Sequence, residues 1–245
     1  MIHSTNGIVL RMVKYGETSV IVTILTSRFG IQSYLVNGVR TGGRTGRAHF
    51  FQPASLLEME VYHNELKNLQ RIKEVRWRHL YRDLFDDVIK NSVALYMIEL
   101  LQKCAGQPEP GGEMYDFAEE AFLELDAASR EAVANYPVYF ALQAARVTGL
   151  RILNNHSSRR PAFSVSEGQF VSHSNPSDFP ADERISEPLA RLLEASSIAE
   201  LPAIRPGKSV RRALLAALEK YFQYHVPEFG TMKTLPVLHE LMDSL

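Results

Sequence analysis

Residues 55–62 read S-L-L-E-M-E-V-Y, and the register of that octet sets the class of fold. Leu57, Met59 and Val61 alternate with Glu58, Glu60 and Tyr62, a period of two that gives an extended segment one dry face and one wet face. Working outward, four neighbouring segments carry the same texture. Residues 7–13 are apolar and β-branched, and Ser19–Thr26 reads S-V-I-V-T-I-L-T. Residues 31–36 follow the turn Ser27-Arg28-Phe29-Gly30, whose glycine closes a hairpin. Leu69–Trp77 sets Arg71, Lys73 and Arg76 against Ile72, Val75 and Trp77. Five short strands in so little chain predict a small closed barrel, because closure leaves no unpaired strand edge.

The third and fourth strands are joined by residues 37–53, N-G-V-R-T-G-G-R-T-G-R-A-H-F-F-Q-P. Glycine lets a backbone approach a phosphate chain closely, and Arg40, Arg44 and Arg47 each offer a rigid fork of donors matched to phosphate oxygens. A solvated surface loop is the competing reading of any such run. The charge distribution bears on the choice. Met1–Arg82 carries 12 Lys/Arg against 5 Asp/Glu, a net of +7, so the whole-chain charge of −1 conceals a basic N-terminal third and an acidic remainder. That asymmetry points to a polyanion as the partner of the basic third.

Lys14, Arg28, Lys67, Arg71 and Lys73 join the three loop arginines at strand ends and loops of the expected barrel, with Tyr15, Tyr34, Phe50 and Phe51 among them. A barrel so equipped holds extended nucleic acid by stacking bases on exposed rings while cations follow the backbone. Tyr34 is expected as such a platform. Phe50 and Phe51 read equally well as stacking rings or as plugs of the barrel bottom.

After Trp77 the apolar spacing becomes helical. Residues 83–105 place Val88, Ala94, Leu95, Met97, Ile98, Leu100 and Leu101 at intervals of three and four, and Gly106-Gln107-Pro108-Glu109-Pro110-Gly111-Gly112 ends the run. Helices are expected over 114–126, from Tyr136-Pro137 to Gly149, and over 186–195, 208–225 and 235–242. Between them residues 154–182 form a polar excursion, with β-like patches only at Ala162-Phe163-Ser164 and Gln169-Phe170-Val171. The expected fold is thus α+β and multidomain: a five-stranded closed barrel over residues 1–80 that binds nucleic acid, then an α-helical domain over 81–245 carrying the excursion.

Enzyme signatures fail. Pro206-Gly207-Lys208-Ser209 ends like a phosphate-binding loop, yet the position for its first glycine is Pro202 and no strand leads in. The chain has no G-x-S-x-G elbow, and its one cysteine, Cys104, sits in an apolar helical run with no base to activate it. Asp86-Asp87 and Glu119-Glu120 fall on polar helix faces. The eight histidines are scattered, and His156 with His173 makes two ligands where zinc needs four. No catalytic residue, metal or cofactor is therefore expected. The N-terminus does not resemble a signal peptide, and no stretch approaches the roughly 18 apolar residues of a membrane span, so a cytoplasmic protein without membrane contact is expected, nucleoid-associated if its polyanion is DNA.

Gly7-Ile8-Val9-Leu10, Tyr15-Gly16-Glu17-Thr18, the run from Val20 to Thr26 with Gly30, Asn37-Gly38-Val39-Arg40 before the basic loop, and Gln52-Pro53 ahead of Leu56-Leu57-Glu58-Met59-Glu60 together resemble the RecO family of bacterial recombination mediators. The likeness is densest over residues 1–80 and continues through the third long helix and the excursion. It implies an OB-fold joined to a helical domain, no turnover, binding of single- and double-stranded DNA, and strand annealing in DNA repair. It implies work with RecR, in some members with RecF, and help to RecA in displacing single-stranded-DNA-binding protein. Carried over residue by residue, the DNA role reaches Arg40, Arg44 and Arg47, then Lys14 and Arg28. In some members the helical part takes the acidic tail of single-stranded-DNA-binding protein, for which Arg146, Arg151, Lys208, Arg211 and Arg212 are the candidate cations. Many members carry a four-cysteine zinc module in the excursion, and this chain departs from them: residues 154–175 contain no cysteine. Two rival readings remain open: an adaptor whose basic face meets an acidic protein, and an RNA-binding module.

Overall fold

A computed structural model of the chain describes residues 1–39, 47–104, 112–172 and 183–242. They fall into two compact units, Met1–Arg82 with Gly106–Leu123, and Asp83–Ala105 with Glu124–Leu245.

In the first unit β1 (Ile2–Tyr15), β2 (Ser19–Thr26), β3 (Gly30–Val36), β4 (Leu56–Tyr62) and β5 (Leu69–Trp77) close a barrel in the order β1-β2-β3-β5-β4, with every pairing antiparallel except β3 with β5. The expected five-stranded barrel is present, and β1 is longer than the apolar run that announced it. It pairs with β4 through residues 2–8 and with β2 through residues 7–15, so polar His3, Ser4 and Asn6 are drawn into strand by ladder bonds that their side chains do not advertise. The interior is filled by Val9, Val20, Val22, Ile24, Leu57, Met59 and Val61, the dry phase of each alternation. Gly7 is needed there for close approach: a Cβ would fall 2.5 Å from the Ile24 side chain and 2.6 Å from that of Met59.

Tyr34 corrects an expectation. It is 0% exposed and belongs to this interior, in register with Val22, because β3 turns Tyr34 and Val36 inward and Ile31, Ser33 and Leu35 outward. Its hydroxyl has no hydrogen-bond partner, and burial pushes its pKa well above the ordinary phenol value. The two loop phenylalanines divide the readings left open for them. Both stand on a 3₁₀ turn, Arg47–Phe51, where Phe51 is a fully buried plug and Phe50 lies half-buried against Trp77 with ring centroids 5.0 Å apart.

The second unit is helical, with α1 (Val88–Cys104), the end of α2 (Glu113–Ala127), the short α3 (Arg130–Val133), α4 (Tyr136–Val147), α5 (Glu183–Glu194), α6 (Lys208–His225) and α7 (Thr234–Met242). α1 packs on α4 and α7, and α6 on α4 and α5, around Met97, Leu101, Phe140, Leu214, Leu218 and Leu238. α1 begins five residues later than its apolar spacing predicts, because the Asp87 carboxylate accepts the backbone N–H groups of Ile89 and Lys90 at 2.8 and 2.9 Å and caps the helix there. The two β-like patches form a hairpin, β6 (Ala162–Ser164) and β7 (Gln169–Val171).

Candidate nucleic-acid interface

Ladder register determines which outward side chains stand side by side, since directly opposed residues share a face. One row crosses all five strands: Val13, Ile21, Leu35, Arg71, Tyr62 and Ile2 are successive partners from β1 through β2, β3, β5 and β4 back to β1. A second row, Arg11, Thr23, Ser33 and Leu69, runs beside it. Val13, Ile21 and Leu35 are half-buried, whereas Arg71, Tyr62, Ile2, Arg11 and Leu69 are exposed. The barrel therefore wears an apolar and aromatic belt interrupted by guanidinium groups, a surface on which bases stack while cations meet phosphates.

Around the belt, Lys14 is exposed near the end of β1, Arg28 lies in the β2–β3 turn and Lys67 in the loop of residues 63–68. Arg28 stands 5.4 Å over the ring of Phe29. Arg40 and Arg44 fall outside the described residues, and Arg47 opens the 3₁₀ turn. Lys73 differs from Arg71. It occupies a bulge, since Val61 faces Ile72 and Glu60 faces Glu74, and the extra residue swings its ammonium to within 2.7 Å of Glu60. That hydrogen bond holds its pKa above the ordinary lysine value. Arg76 is likewise 3.2 Å from Glu58, and Arg78 forms a fork with Glu119. Lys73, Arg76 and Arg78 thus face carboxylates, whereas Arg71 on the same strand as Lys73 stands opposite Tyr62.

The sequence did not single out His3, Phe29 or His63, which the barrel brings together. Phe29 and His63 stack with centroids 3.9 Å apart and 13° between planes, and His3 meets Phe29 edge-on at 5.5 Å. Burial, the Arg28 guanidinium, the N-terminal amine and His63 all disfavour a proton on His3 and hold its pKa below the ordinary imidazole value. Tyr62 and Ile2 were also missed; the available signal was a large apolar or aromatic side chain on the wet phase of a strand.

In the second unit Arg146 and Arg151 are exposed at and beyond the end of α4, and Lys208, Arg211 and Arg212 fall in the first turn of α6. Arg211 donates to the Pro206 carbonyl at 2.9 Å. The hairpin of the excursion is held by hydrogen bonds and packing of its own side chains. Asn155 accepts the Phe170 N–H at 2.8 Å, Phe163 and Phe170 pack in the core at 5.5 Å, and Asn154 donates to the Ala190 carbonyl at 3.0 Å. These residues do not fit a zinc module, and among the described residues no cluster of His, Cys, Asp and Glu is arranged to hold a metal. Cys104 is half-buried, and desolvation pushes its thiol up to about 12, the opposite of an activated nucleophile. Among the described residues no helix is long and apolar enough to cross a membrane.

A five-stranded closed barrel of this order with an aromatic, cation-bearing outer face is an OB-fold module. The family model for the recombination protein O N terminal domain matches residues 1–81, and that for the recombination protein O C terminal domain matches residues 86–234. The chain belongs to the recombination protein O (RecO) family, as its sequence resemblance implied. Among characterised relatives, DNA repair protein RecO of Phocaeicola vulgatus is 28% identical over 242 residues, covering 98% of this chain and 99% of its own length. The protein of the same name from Flavobacterium psychrophilum is 27% identical over 243 residues (97% and 98% covered), and that from Porphyromonas gingivalis 27% over 251 residues (99% and 100%).

Proposed function

We propose that this chain is a DNA-binding recombination mediator in DNA repair that works by binding, without catalytic turnover. The observation that carries the reading is the outer belt of the barrel, where Arg71 stands in ladder register between Leu35 and Tyr62, Ile2 follows Tyr62, and Arg11 lies in the neighbouring row with Thr23, Ser33 and Leu69. Stacking is sequence-tolerant because every base has a π face, and the cations neutralise phosphates without reading bases. Lys14, Arg28 and Lys67 at the margins, with Arg40, Arg44 and Arg47 from the glycine-rich loop, extend the path. Two strands screened on one basic surface no longer repel each other fully, which is the physical basis of annealing.

Lys208, Arg211 and Arg212 stand within the first five residues of α6, where the helix dipole adds positive charge. An acidic peptide is attracted to a helix start of that charge, which supports docking of the tail of single-stranded-DNA-binding protein, with Arg146 and Arg151 as further cations. In this reading the helical unit recruits RecR, with or without RecF, and the complex helps RecA onto DNA from which that protein is displaced.

Fluorescence anisotropy with a labelled single strand tests the DNA role. Affinity falls with salt at a log–log slope of about −0.7 per phosphate neutralised. Failure to bind the strand at about 0.1 M salt, where exposed charges are screened beyond roughly 10 Å, returns the basic face to the adaptor reading. Equal competition by matched RNA moves it to the RNA-binding one. Capture of the acidic tail peptide, lost on reversing Lys208 and Arg212, tests recruitment.

A further inference from the structure

The parallel seam between β3 and β5 is short: it joins only Ser33, Tyr34 and Leu35 to Leu69, Gln70 and Arg71. Ahead of it β3 and the loop of residues 63–68 part, and a cleft of about 470 Å³ opens between that loop and the β2–β3 turn. The volume lies in the range of sites that hold one small molecule. It suits a single nucleotide and excludes a duplex.

The walls are fixed by their own hydrogen bonds. Buried Gln70 accepts the Asn64 N–H at 3.0 Å and donates to the Asn64 and Lys67 carbonyls, and the Asn64 side chain accepts the Leu66 N–H at 2.9 Å. Across the cleft, Thr26 accepts the Phe29 N–H at 2.9 Å and donates to the Gly30 carbonyl at 2.8 Å, while Gln32 donates to the Phe29 carbonyl at 2.8 Å. Gly30 permits this turn with a φ of +63°. A site built in advance loses little order when a ligand enters.

Its chemistry is that of a nucleotide. Arg28 is perched over Phe29, itself stacked on His63, and Lys67 lies on the opposite wall with Glu65, so two cations from different loops and one carboxylate face one space and leave it net positive. Between them Gln32 and Asn68 present amides, which pair with the donor and acceptor edge of a base. Ser33 lines the cleft and also belongs to the second outer row, next to Thr23 and Leu69. A strand lying on the belt therefore reaches the cleft along β3 without leaving the surface.

We propose that this cleft is a subsite for one nucleotide of a single strand, its phosphate held by Arg28 and Lys67 and its base edge met by Gln32 and Asn68. The proposal rests on the reading of the barrel as a DNA-binding surface. Histidine-selective isotope labelling of the full chain makes His3 and His63 reporters, assigned by His3→Gln and His63→Asn. Thymidine 5′-monophosphate at millimolar concentration shifts both rings saturably and leaves those of His156, His225 and His239 in place. Arg28→Glu abolishes the shift and weakens binding of a twenty-nucleotide oligothymidylate about tenfold at about 0.1 M salt. Lys67→Glu, on an exposed loop, does the same should Arg28→Glu unfold the turn. Equal shifts with inorganic phosphate alone reduce the cleft to an anion site and overturn the proposal. If the oligothymidylate binds while His3 and His63 stay fixed, the cleft fails and the DNA-binding reading survives. If the mononucleotide moves the rings while the oligothymidylate does not bind, the DNA-binding reading fails and the single-strand subsite with it, leaving a free-mononucleotide site.

Discussion

Lys73 and Glu60 face each other across the β4–β5 pair with 2.7 Å between ammonium and carboxylate, while Arg71, two residues earlier on the same strand, stands beside exposed Tyr62. Both cations alternate with apolar residues in the sequence, and a bulge gives them different neighbours. An exposed pair of this kind adds little to stability, but it leaves Lys73 with less to gain from a phosphate. Arg71→Ala is therefore expected to flatten the salt slope of single-strand binding by about 0.7, and Lys73→Ala to leave it nearly unchanged. Equal effects of the two substitutions, measured by anisotropy across a salt series, would show that the pair does not discriminate.

Replacing Arg40, Arg44 and Arg47 together by Ala is expected to flatten the same slope by about two units. The triple variant keeps its melting temperature if these side chains serve the ligand rather than the barrel. Unchanged affinity and slope would remove the loop from the binding path.

Tyr34→Phe deletes a hydroxyl that is buried without a hydrogen-bond partner and keeps the ring among Val22, Val36 and Phe51. An unsatisfied buried polar group costs about 1–3 kcal/mol, so the variant is expected to melt at a higher temperature, with single-strand affinity unaltered. A loss of affinity in a folded Tyr34→Phe protein would return Tyr34 to the surface role that its aromatic ring first indicated.

His3 makes stability depend on pH with a definite sign. Its folded pKa lies below the reference value of 6.5, so the unfolded chain takes up the proton first as the solution is acidified. The contribution is fully present above pH 6.5 and is lost as pH falls through the folded value. Urea midpoints measured from pH 7.5 to pH 5 should decline less steeply in His3→Gln than in the parent chain.

The excursion should be indifferent to chelators. Purified protein is expected to carry no stoichiometric zinc by elemental analysis and to melt at the same temperature with a chelator present. Asn155→Ala removes the acceptor of the Phe170 N–H and should cost about 1–3 kcal/mol, read from denaturant midpoints. One zinc per chain would overturn the first expectation, and a silent Asn155→Ala the second.

The strands that carry one clean alternation were legible from residue order. In β4 the apolar phase of Leu57, Met59 and Val61 can face only inward, and burial of those side chains drives the barrel closed. The stripe of Leu214, Leu215, Leu218, Tyr221 and Phe222 likewise set α6. β3 was not legible in this way. It carries apolar residues on both phases, Ile31 and Leu35 against Tyr34 and Val36, so period alone does not say which side is dry; pairing with Val22 and Val20 decides it.

Amino-acid order by itself thus determined the barrel, the helical remainder and the excess of cations in the first third, because hydrophobic periodicity and charge are properties of neighbouring residues. Tertiary structure alone decided which cations face carboxylates, that Tyr34 and Phe51 fill the interior, and that His3, Phe29 and His63 form one ring cluster. Those outcomes depend on ladder register and on one bulge, which bring together residues tens of positions apart.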